Sequence, residues 1–317
     1  MRLAERAAPP LRLPAIVFAA TAAALFVAVG GLGVYRYLDN YWLYRGFPPP
    51  QDPAFVAAKG TVESFRLGSP ALGGRRQQVV VYLPPGYRTD TTRRYPVFYL
   101  LHGVPGRPRA FLETVRAGVV QDIYLAKHLG GPMILVMPSG STGTFTDEEW
   151  ANGVRKHDGW ETFVARDLVR AIDARYRTIP TGAGRAIGGL SEGGYGALNI
   201  ALHHPREFHV IESWSGYQRA DNLRSIFGGK PALLARNSPL DTLGRAARTL
   251  RREHAFVWFY SGTKDPFNVQ NAAFARLLAR DRIQHRYFLV RGGHNWAIWR
   301  GEAMNAMLAA TTHLGHA

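Results

Sequence analysis

Apolar runs of strand length alternate with helical runs from residue 59 onward, and this alternation constrains the fold more than any other feature. The strand-like runs are 79–87, 95–103, 132–140, 184–191, 208–216, 254–262 and 285–293. Helical patterns occupy 160–177, 193–204 and 268–282, and a last one begins near residue 297. Parallel strands need crossover connections, so the pattern predicts the α/β class, with a mostly parallel central sheet and helices on both faces. Ligands bind such sheets beyond the carboxyl ends of the strands.

An uncharged segment of 21 residues, 15–35, precedes this region. Its length matches the roughly 20 residues that a helix needs to cross a bilayer, so it predicts a transmembrane helix or signal anchor. Arg2, Arg6 and Arg12 make the segment 1–14 basic, which predicts that it stays in the cytoplasm while the rest of the chain lies outside. Two other interpretations are a signal peptide that is cleaved to give a secreted protein, and a buried core helix.

The remaining chain divides into a proline-containing linker, 36–58, and a large domain, 59–317. Within that domain the arginine-rich residues 217–250 interrupt the alternation, which indicates an insertion or lid over the carboxyl edge of the sheet. The net charge of +16 comes mostly from scattered arginines, so no nucleic-acid partner is predicted. The absence of cysteine excludes disulfides and thiolate chemistry. No metal site or cofactor is predicted, and the adjacent His203 and His204 are interpreted as surface residues.

The pentapeptide Gly189-Leu190-Ser191-Glu192-Gly193 lies where a strand-like run meets a helical run. Glycine on both sides of a serine at such a turn is typical of a nucleophile elbow, in which the serine takes a strained backbone conformation. Ser191 is therefore the predicted nucleophile. The alternative interpretation is a glycine-rich turn whose serine caps the helix.

A serine nucleophile needs a base and an acid that orients the base, and in this kind of sheet their chain order is serine, acid, histidine. Among the histidines after Ser191, His294 alone follows the carboxyl end of a predicted strand, so it is the predicted base. Asp265 follows the preceding strand and is the predicted acid. Asp281, further along the next helix, is the second candidate for the acid.

Acyl transfer passes through an intermediate whose negative oxygen is stabilised by backbone N–H groups. One predicted donor is the N–H of Glu192, directly after the nucleophile. The other is the N–H of Val104, in the sequence HGVPG that follows the strand-like run 95–103. An ordinary strand-to-helix loop is the alternative interpretation of this second segment.

Three motifs together, YPVFYLLHGVPG, GGLSEGGYGALNIALHHP and GGHNWAIW, resemble an esterase family of α/β-hydrolases that includes esterase D-like enzymes, enterochelin esterases and secreted mycolyltransferases. The resemblance extends from about residue 60 to 310 and implies the α/β-hydrolase fold, with the nucleophile, acid, base and amide donors named above. The segments FTDEEW and WETF resemble mycolyltransferase segments, which implies substrate contacts at Asp147 and Trp150; a folded loop with a packed tryptophan is the alternative. Trp296 either stacks on a sugar or fills the core.

The sequence thus predicts a membrane-anchored, extracytoplasmic serine esterase that hydrolyses a small-molecule or lipid ester through an acyl-enzyme. One alternative is an acyltransferase that moves the acyl chain to a sugar hydroxyl, such as one of trehalose, with the same catalytic residues. Another is a non-catalytic scaffold of the cell envelope. These motifs do not specify the acyl chain, the alcohol or the oligomeric state.

Overall fold

The computed structural model describes residues 13–39, 52–143, 146 and 148–315. The chain divides into two compact units, Met1–Pro48 and Pro49–Ala317. In the first unit, helix α1 (Leu13–Asp39) contains the segment Leu13–Val34, which is long and apolar enough to cross a membrane, with a mean hydropathy of 2.3. Because that statement depends on length and composition, membrane insertion stays a prediction.

An eight-stranded sheet forms the centre of the second unit. Its strands are β1 (Thr61–Gly68), β2 (Arg76–Leu83), β3 (Val97–Leu101), β4 (Ile134–Pro138), β5 (Arg185–Gly189), β6 (Val210–Trp214), β7 (Phe256–Gly262) and β8 (Gln284–Val290). Their spatial order is β1-β2-β4-β3-β5-β6-β7-β8. β2 pairs antiparallel with β1 and β4, and every other pair is parallel. The predicted mostly parallel sheet is confirmed, and the carboxyl ends of β3 to β8 meet at one edge.

Helices cover both faces of this sheet. They are α2 (Ala110–Glu113), α3 (Ala117–Ala126), α4 (Trp160–Thr162), α5 (Val169–Arg175), α6 (Glu192–His203), α7 (Arg224–Phe227), α8 (Pro231–Arg236), α9 (Pro239–Arg252), α10 (Asn268–Arg280), α11 (Trp296–Gly301) and α12 (Ala303–His313), with a π-helical segment, Phe163–Leu168, between α4 and α5. Apolar residues of α5, α6, α9 and α10 share one core cluster with the sheet, and those of α3, α11 and α12 share another. Every residue of β3 to β6 is buried, as expected for strands covered on both faces.

Residues 217–250, predicted as an irregular insertion, contain three helices. Ile226 of α7 packs with Tyr195 of α6 in a small separate cluster. α9 instead buries Leu243 and Leu250 in the main core, so it is the crossover helix between β6 and β7. The arginines of α9 occupy its exposed face and obscured the apolar stripe in the sequence.

Candidate active site

Ser191 lies at the sharp turn between β5 and α6. Its backbone has φ of 56° and ψ of −121°, a region that a residue with a side chain rarely adopts. Its N–H donates a hydrogen bond to the Trp214 carbonyl at 2.9 Å. A Cβ atom at Gly189 or Gly193 would collide with the Leu101 carbonyl, so both glycines are needed for the turn to pass close to β3. The turn therefore holds Ser191 at the carboxyl edge of the sheet.

The structure brings the three predicted catalytic side chains together. His294 Nδ1 lies 2.9 Å from Asp265 Oδ2, and His294 Nε2 lies 2.8 Å from Ser191 Oγ. In the tautomer that donates from Nδ1 to the carboxylate, Nε2 carries no proton and accepts the hydrogen bond of the serine hydroxyl. The second candidate acid, Asp281, lies past the far end of α10 and pairs with Arg280 at 2.9 Å. The carboxyl ends of β5, β7 and β8 thus gather the serine, the acid and the base.

Asp265 is held on both of its carboxylate oxygens. The side chain is fully buried, Oδ1 accepts a hydrogen bond from the Phe267 N–H at 2.9 Å, and Oδ2 accepts one from His294. Burial alone would raise the pKa of Asp265, but the hydrogen bonds from His294 and Phe267 outweigh it and lower that pKa below 3.8. The carboxylate therefore stays charged at neutral pH and stabilises a protonated His294.

Aromatic rings enclose the imidazole of His294. Phe267 and Trp299 meet it edge-on, with ring centroids at 5.4 and 5.0 Å. Trp299 is almost fully buried, and Trp296 packs against it at 5.1 Å while staying partly exposed. The predicted substrate contact at Trp296 stays a prediction. Sequence reasoning missed Phe267, because no local pattern indicates that its N–H and its ring both contact the acid–base pair.

The two predicted oxyanion donors lie on segments beside Ser191. Glu192 is the first residue of α6, where N–H groups have no acceptor within the helix itself. Val104 follows β3 in the HGVPG loop and is 40% exposed. In the same loop, a Cβ atom at Gly103 would stand 3.0 Å from the Ser191 Cβ, so this loop runs directly beside the nucleophile. The donor roles of the two N–H groups stay a prediction.

Trp150 contacts His102 of the HGVPG loop and has no exposed surface. Its indole N–H donates to the His102 carbonyl at 3.0 Å, and its ring meets the His102 ring edge-on. Burial lowers the pKa of His102 to about 4, and the neutral ring accepts a hydrogen bond from the Gly140 N–H at 3.1 Å. The predicted substrate contact at Trp150 is therefore corrected to a supporting role, because a fully buried ring cannot touch a ligand. Asp147, the other contact predicted from this segment, lies outside the described residues.

His203 and His204, interpreted as surface residues, instead bind a buried carboxylate. Glu161 accepts hydrogen bonds from His203 Nδ1 at 2.8 Å and His204 Nε2 at 2.9 Å, and His203 Nε2 donates to the Arg236 carbonyl at 3.0 Å. Burial alone would raise the pKa of Glu161, yet these hydrogen bonds lower it to about 2. Burial alone would lower the pKa of His203, but Glu161 raises it. These hydrogen bonds connect α4 and α8 to the end of α6. In the described part of the chain no three His, Cys, Asp or Glu side chains are arranged to hold a metal ion.

Glu161→Gln should lower the free energy of unfolding by about 2 kcal/mol near pH 6, because it leaves a buried imidazolium without its carboxylate. The raised pKa of His203 gives stabilisation that is fully present below pH 6.5 and lost as the pH rises through the folded-state pKa. The lowered pKa of Glu161 gives stabilisation that is present above pH 4.5 and lost as the pH falls toward about 2. Thermal unfolding at several pH values should thus show the largest loss between about pH 4.5 and 6.5. Glu253→Gln, which breaks exposed ion pairs, is the control, and a loss independent of pH would contradict the assignment.

Glu212 is a fully buried carboxyl group in β6, close to the carbonyl that holds the nucleophile turn. Its Oε2 accepts a hydrogen bond from the Trp214 indole at 2.8 Å, and the Trp214 carbonyl binds the Ser191 N–H. The missing side chain at Gly188 makes room for it, since a Cβ there would stand 2.9 Å from the Glu212 Cβ. Burial raises the pKa of Glu212 well above 4.5, because the fully buried site disfavours the charged form.

Glu212→Gln should make the folded protein less sensitive to alkaline pH. An acid with a raised pKa contributes its stabilisation in full below pH 4.5 and loses it as the pH rises, by about 1.4 kcal/mol per pH unit up to the folded-state pKa. Glutamine keeps an acceptor for Trp214 and has no proton to lose, so the Tm of the variant should exceed that of the native chain by a margin that grows with pH. Parallel Tm profiles between about pH 6 and 9 would argue against a neutral carboxyl group at this site.

Three comparisons relate the chain to known proteins. The profile of a family described as "Putative esterase" matches residues 69–311. An esterase of Mycobacterium tuberculosis is 35% identical over 164 residues, which are 52% of this chain and 33% of that protein. The diacylglycerol acyltransferase/mycolyltransferase Ag85A of Mycobacterium leprae is 27% identical over 287 residues, 78% of this chain and 81% of that protein.

A solved structure of a ferulic acid esterase aligns with a TM-score of 0.72 at 22% identity and covers 81% of this chain and all of that one. This likeness confirms the α/β-hydrolase fold. The chain spans less than two thirds of the length of the first curated relatives that it matches, 58% and 33%.

Proposed function

The chain belongs to the "Putative esterase" family of α/β-hydrolases. On that basis we propose that it is a serine hydrolase that cleaves carboxylic esters through an acyl-enzyme. The hydrogen-bonded series Ser191–His294–Asp265 carries this proposal. A serine hydroxyl is a weak nucleophile unless an oriented base takes its proton. These two contacts supply the base and its orientation.

The first half-reaction joins Ser191 Oγ to the carbonyl carbon of the substrate while His294 Nε2 takes the hydroxyl proton. The tetrahedral intermediate collapses as His294 gives this proton to the oxygen of the departing alcohol. Water then attacks the acyl-enzyme with His294 again as base, and the proton returns to Ser191 Oγ as the carboxylic acid leaves. Asp265 stays ionised and stabilises the imidazolium in both half-reactions.

We assign stabilisation of the negative oxygen to the N–H groups of Val104 and Glu192. His102 and Trp150 support the first donor, because their hydrogen bonds hold the loop that carries Val104. The start of α6 supports the second, because the positive end of the helix dipole lies there. A donor of this kind lowers the activation barrier by roughly 3–4 kcal/mol.

We place the catalytic domain, 59–317, outside the cell membrane and α1 within it as a single-pass anchor. The apolar segment Leu13–Val34 and the basic residues Arg2, Arg6 and Arg12 support this orientation. The alternative is secretion after cleavage of the same segment. Intact mass measured on the membrane and secreted fractions of the producing cells separates the two, since cleavage removes α1.

Transfer of the acyl group to a sugar hydroxyl is the second candidate function. A partly exposed Trp296, which packs against the Trp299 ring that contacts His294, favours it, because an indole face suits a sugar ring, and the Mycobacterium leprae relative is named an acyltransferase. The sugar hydroxyl would replace water in the second half-reaction and give its proton to His294. Both reactions use the same acyl-enzyme, so the catalytic residues alone do not distinguish them.

A series of p-nitrophenyl esters of increasing acyl length, given to the full chain in detergent with and without trehalose, tests the proposal. We expect release of p-nitrophenol with the free carboxylic acid as the product. Formation of acylated trehalose would instead favour the transferase. No release at any acyl length, together with no labelling by a fluorophosphonate, would contradict a serine hydrolase and favour a non-catalytic envelope scaffold.

A further inference from the structure

A cavity of about 310 Å³ lies at the same edge of the sheet as Ser191. Its lining includes the ionisable residues Arg75, Glu148, Arg155, Lys156, His157 and Asp158, and we call it the basic pocket. β2 and β4 are antiparallel, with Val79 opposite Pro138, so the turn before β2 lies beside the carboxyl end of β4. β2 is three strands from β5 in the sheet, so at about 4.8 Å per strand these two strands lie about 14 Å apart, and β4 and β3 separate the basic pocket from the strand that carries Ser191.

Two buried carboxylates line the basic pocket and already have partners. Glu148 Oε2 lies 2.7 Å from Arg155 Nη2, and Asp158 Oδ2 lies 3.2 Å from Arg155 Nε. Thr142 Oγ1 donates to the other Glu148 oxygen at 3.0 Å, and the Trp160 indole donates to the other Asp158 oxygen at 3.1 Å. These carboxylates therefore hold Arg155 in place and leave it more than half exposed, with a side-chain exposure of 59%.

Arg75 and Lys156 add positive charge that the two carboxylates do not neutralise. Within the described part of the chain, neither forms an ion pair with a carboxylate. Arg75 is oriented by hydrogen bonds to the carbonyls of Leu72 and His157 and lies above the ring of a buried tryptophan at 5.6 Å. Among the described lining residues, three guanidinium or ammonium groups thus accompany two carboxylates, and this excess of positive charge favours an anion with several acceptor oxygens.

We propose that the basic pocket binds a phosphate or carboxylate group on the alcohol portion of the ester, so that the substrate is an acylated anionic oligomer. This inference rests on the proposed function, since it describes the alcohol of the same ester. An alcohol must be several units long to reach from Ser191 across the intervening strands to the basic pocket. The net charge of +16 adds a long-range attraction for such an anionic chain.

Calorimetric titration of the full chain with oligogalacturonate, oligo(glycerol phosphate) and a neutral xylo-oligosaccharide tests the basic pocket and separates carboxylate from phosphate. We expect one of the two anionic oligomers to bind about tenfold more tightly than the neutral one. Arg75→Gln/Lys156→Gln should weaken that binding about tenfold, because it removes two charge-assisted contacts. Hydrolysis of p-nitrophenyl acetate, whose alcohol is too short to reach the pocket, should be unchanged.

Lys230→Gln/Arg276→Gln removes the same charge at two exposed residues outside the basic pocket and is the matched control. Equal weakening by both double variants would indicate attraction by overall charge and would overturn the proposal. Equal binding of anionic and neutral oligomers by the native chain would overturn it as well. Failure to hydrolyse p-nitrophenyl acetate would count against the proposed function alone, whereas loss of the preference for anionic oligomers would count against the basic pocket alone.

Discussion

Ser191→Ala should lower kcat/KM for p-nitrophenyl butyrate by about 10⁴-fold or more, because no acyl-enzyme forms without the hydroxyl. The substitution removes one oxygen and leaves the turn between β5 and α6 in place, so Tm should change little. Residual hydrolysis would come from water activated by His294 beside the oxyanion donors. Steady-state kinetics on the purified full chain measure the loss.

The matched control for this variant is Ser225→Ala, at an exposed serine of α7. It should retain native kcat and KM. If Ser191→Ala kept more than about a tenth of native activity while its Tm was unchanged, the hydroxyl could not be the nucleophile.

Asp265→Asn should lower kcat by about 10³- to 10⁴-fold with little change in KM. In the native chain the Asp265 carboxylate accepts the hydrogen bond of His294 Nδ1, and its hydrogen bonds keep it ionised. The amide of the variant carries no negative charge, and its NH₂ group, if turned toward the ring, would donate to Nδ1 instead of accepting from it. His294 would then populate the tautomer with a proton on Nε2, which cannot accept the proton of Ser191. Single-turnover kinetics of p-nitrophenol release measure this step directly.

Asp281→Asn is the control for the acid, since sequence reasoning left Asp281 as the second candidate. The structure places it past the end of α10 with Arg280, so its loss should leave kcat near the native value. A larger loss from Asp281→Asn than from Asp265→Asn would reverse the assignment.

The sheet and the nucleophile turn could be predicted because each has a strong local pattern. The strands β3 and β4 are apolar on both faces and so appear as unbroken apolar runs. The turn at Ser191 needs glycine where Gly189 and Gly193 approach Leu101, and that spacing is visible in the sequence. Asp265 and His294 could be chosen because each follows the carboxyl end of a strand, where a parallel sheet gathers its loops.

Other features depend on contacts between residues that are distant in the sequence, or on strands of mixed polarity. A local sequence pattern indicates neither. β1 is an edge strand whose residues alternate between half-buried and exposed, and none is fully buried, so it carries little apolar signal. The contact of Glu161 with His203 spans 42 residues of sequence, and no spacing rule predicts it. The resemblance implies a substrate contact at Trp150, whereas the burial of its ring depends on long-range packing against the loop at His102.

Mass spectrometry of the full chain after reaction with a fluorophosphonate tests most directly whether Ser191, activated by His294, is the nucleophile. Trypsin releases residues 186–206 as one peptide, which contains a single serine, Ser191. We expect one adduct per chain, located on that serine, and no adduct in His294→Gln. An adduct located on any other residue, or an active protein that forms none, would contradict this assignment.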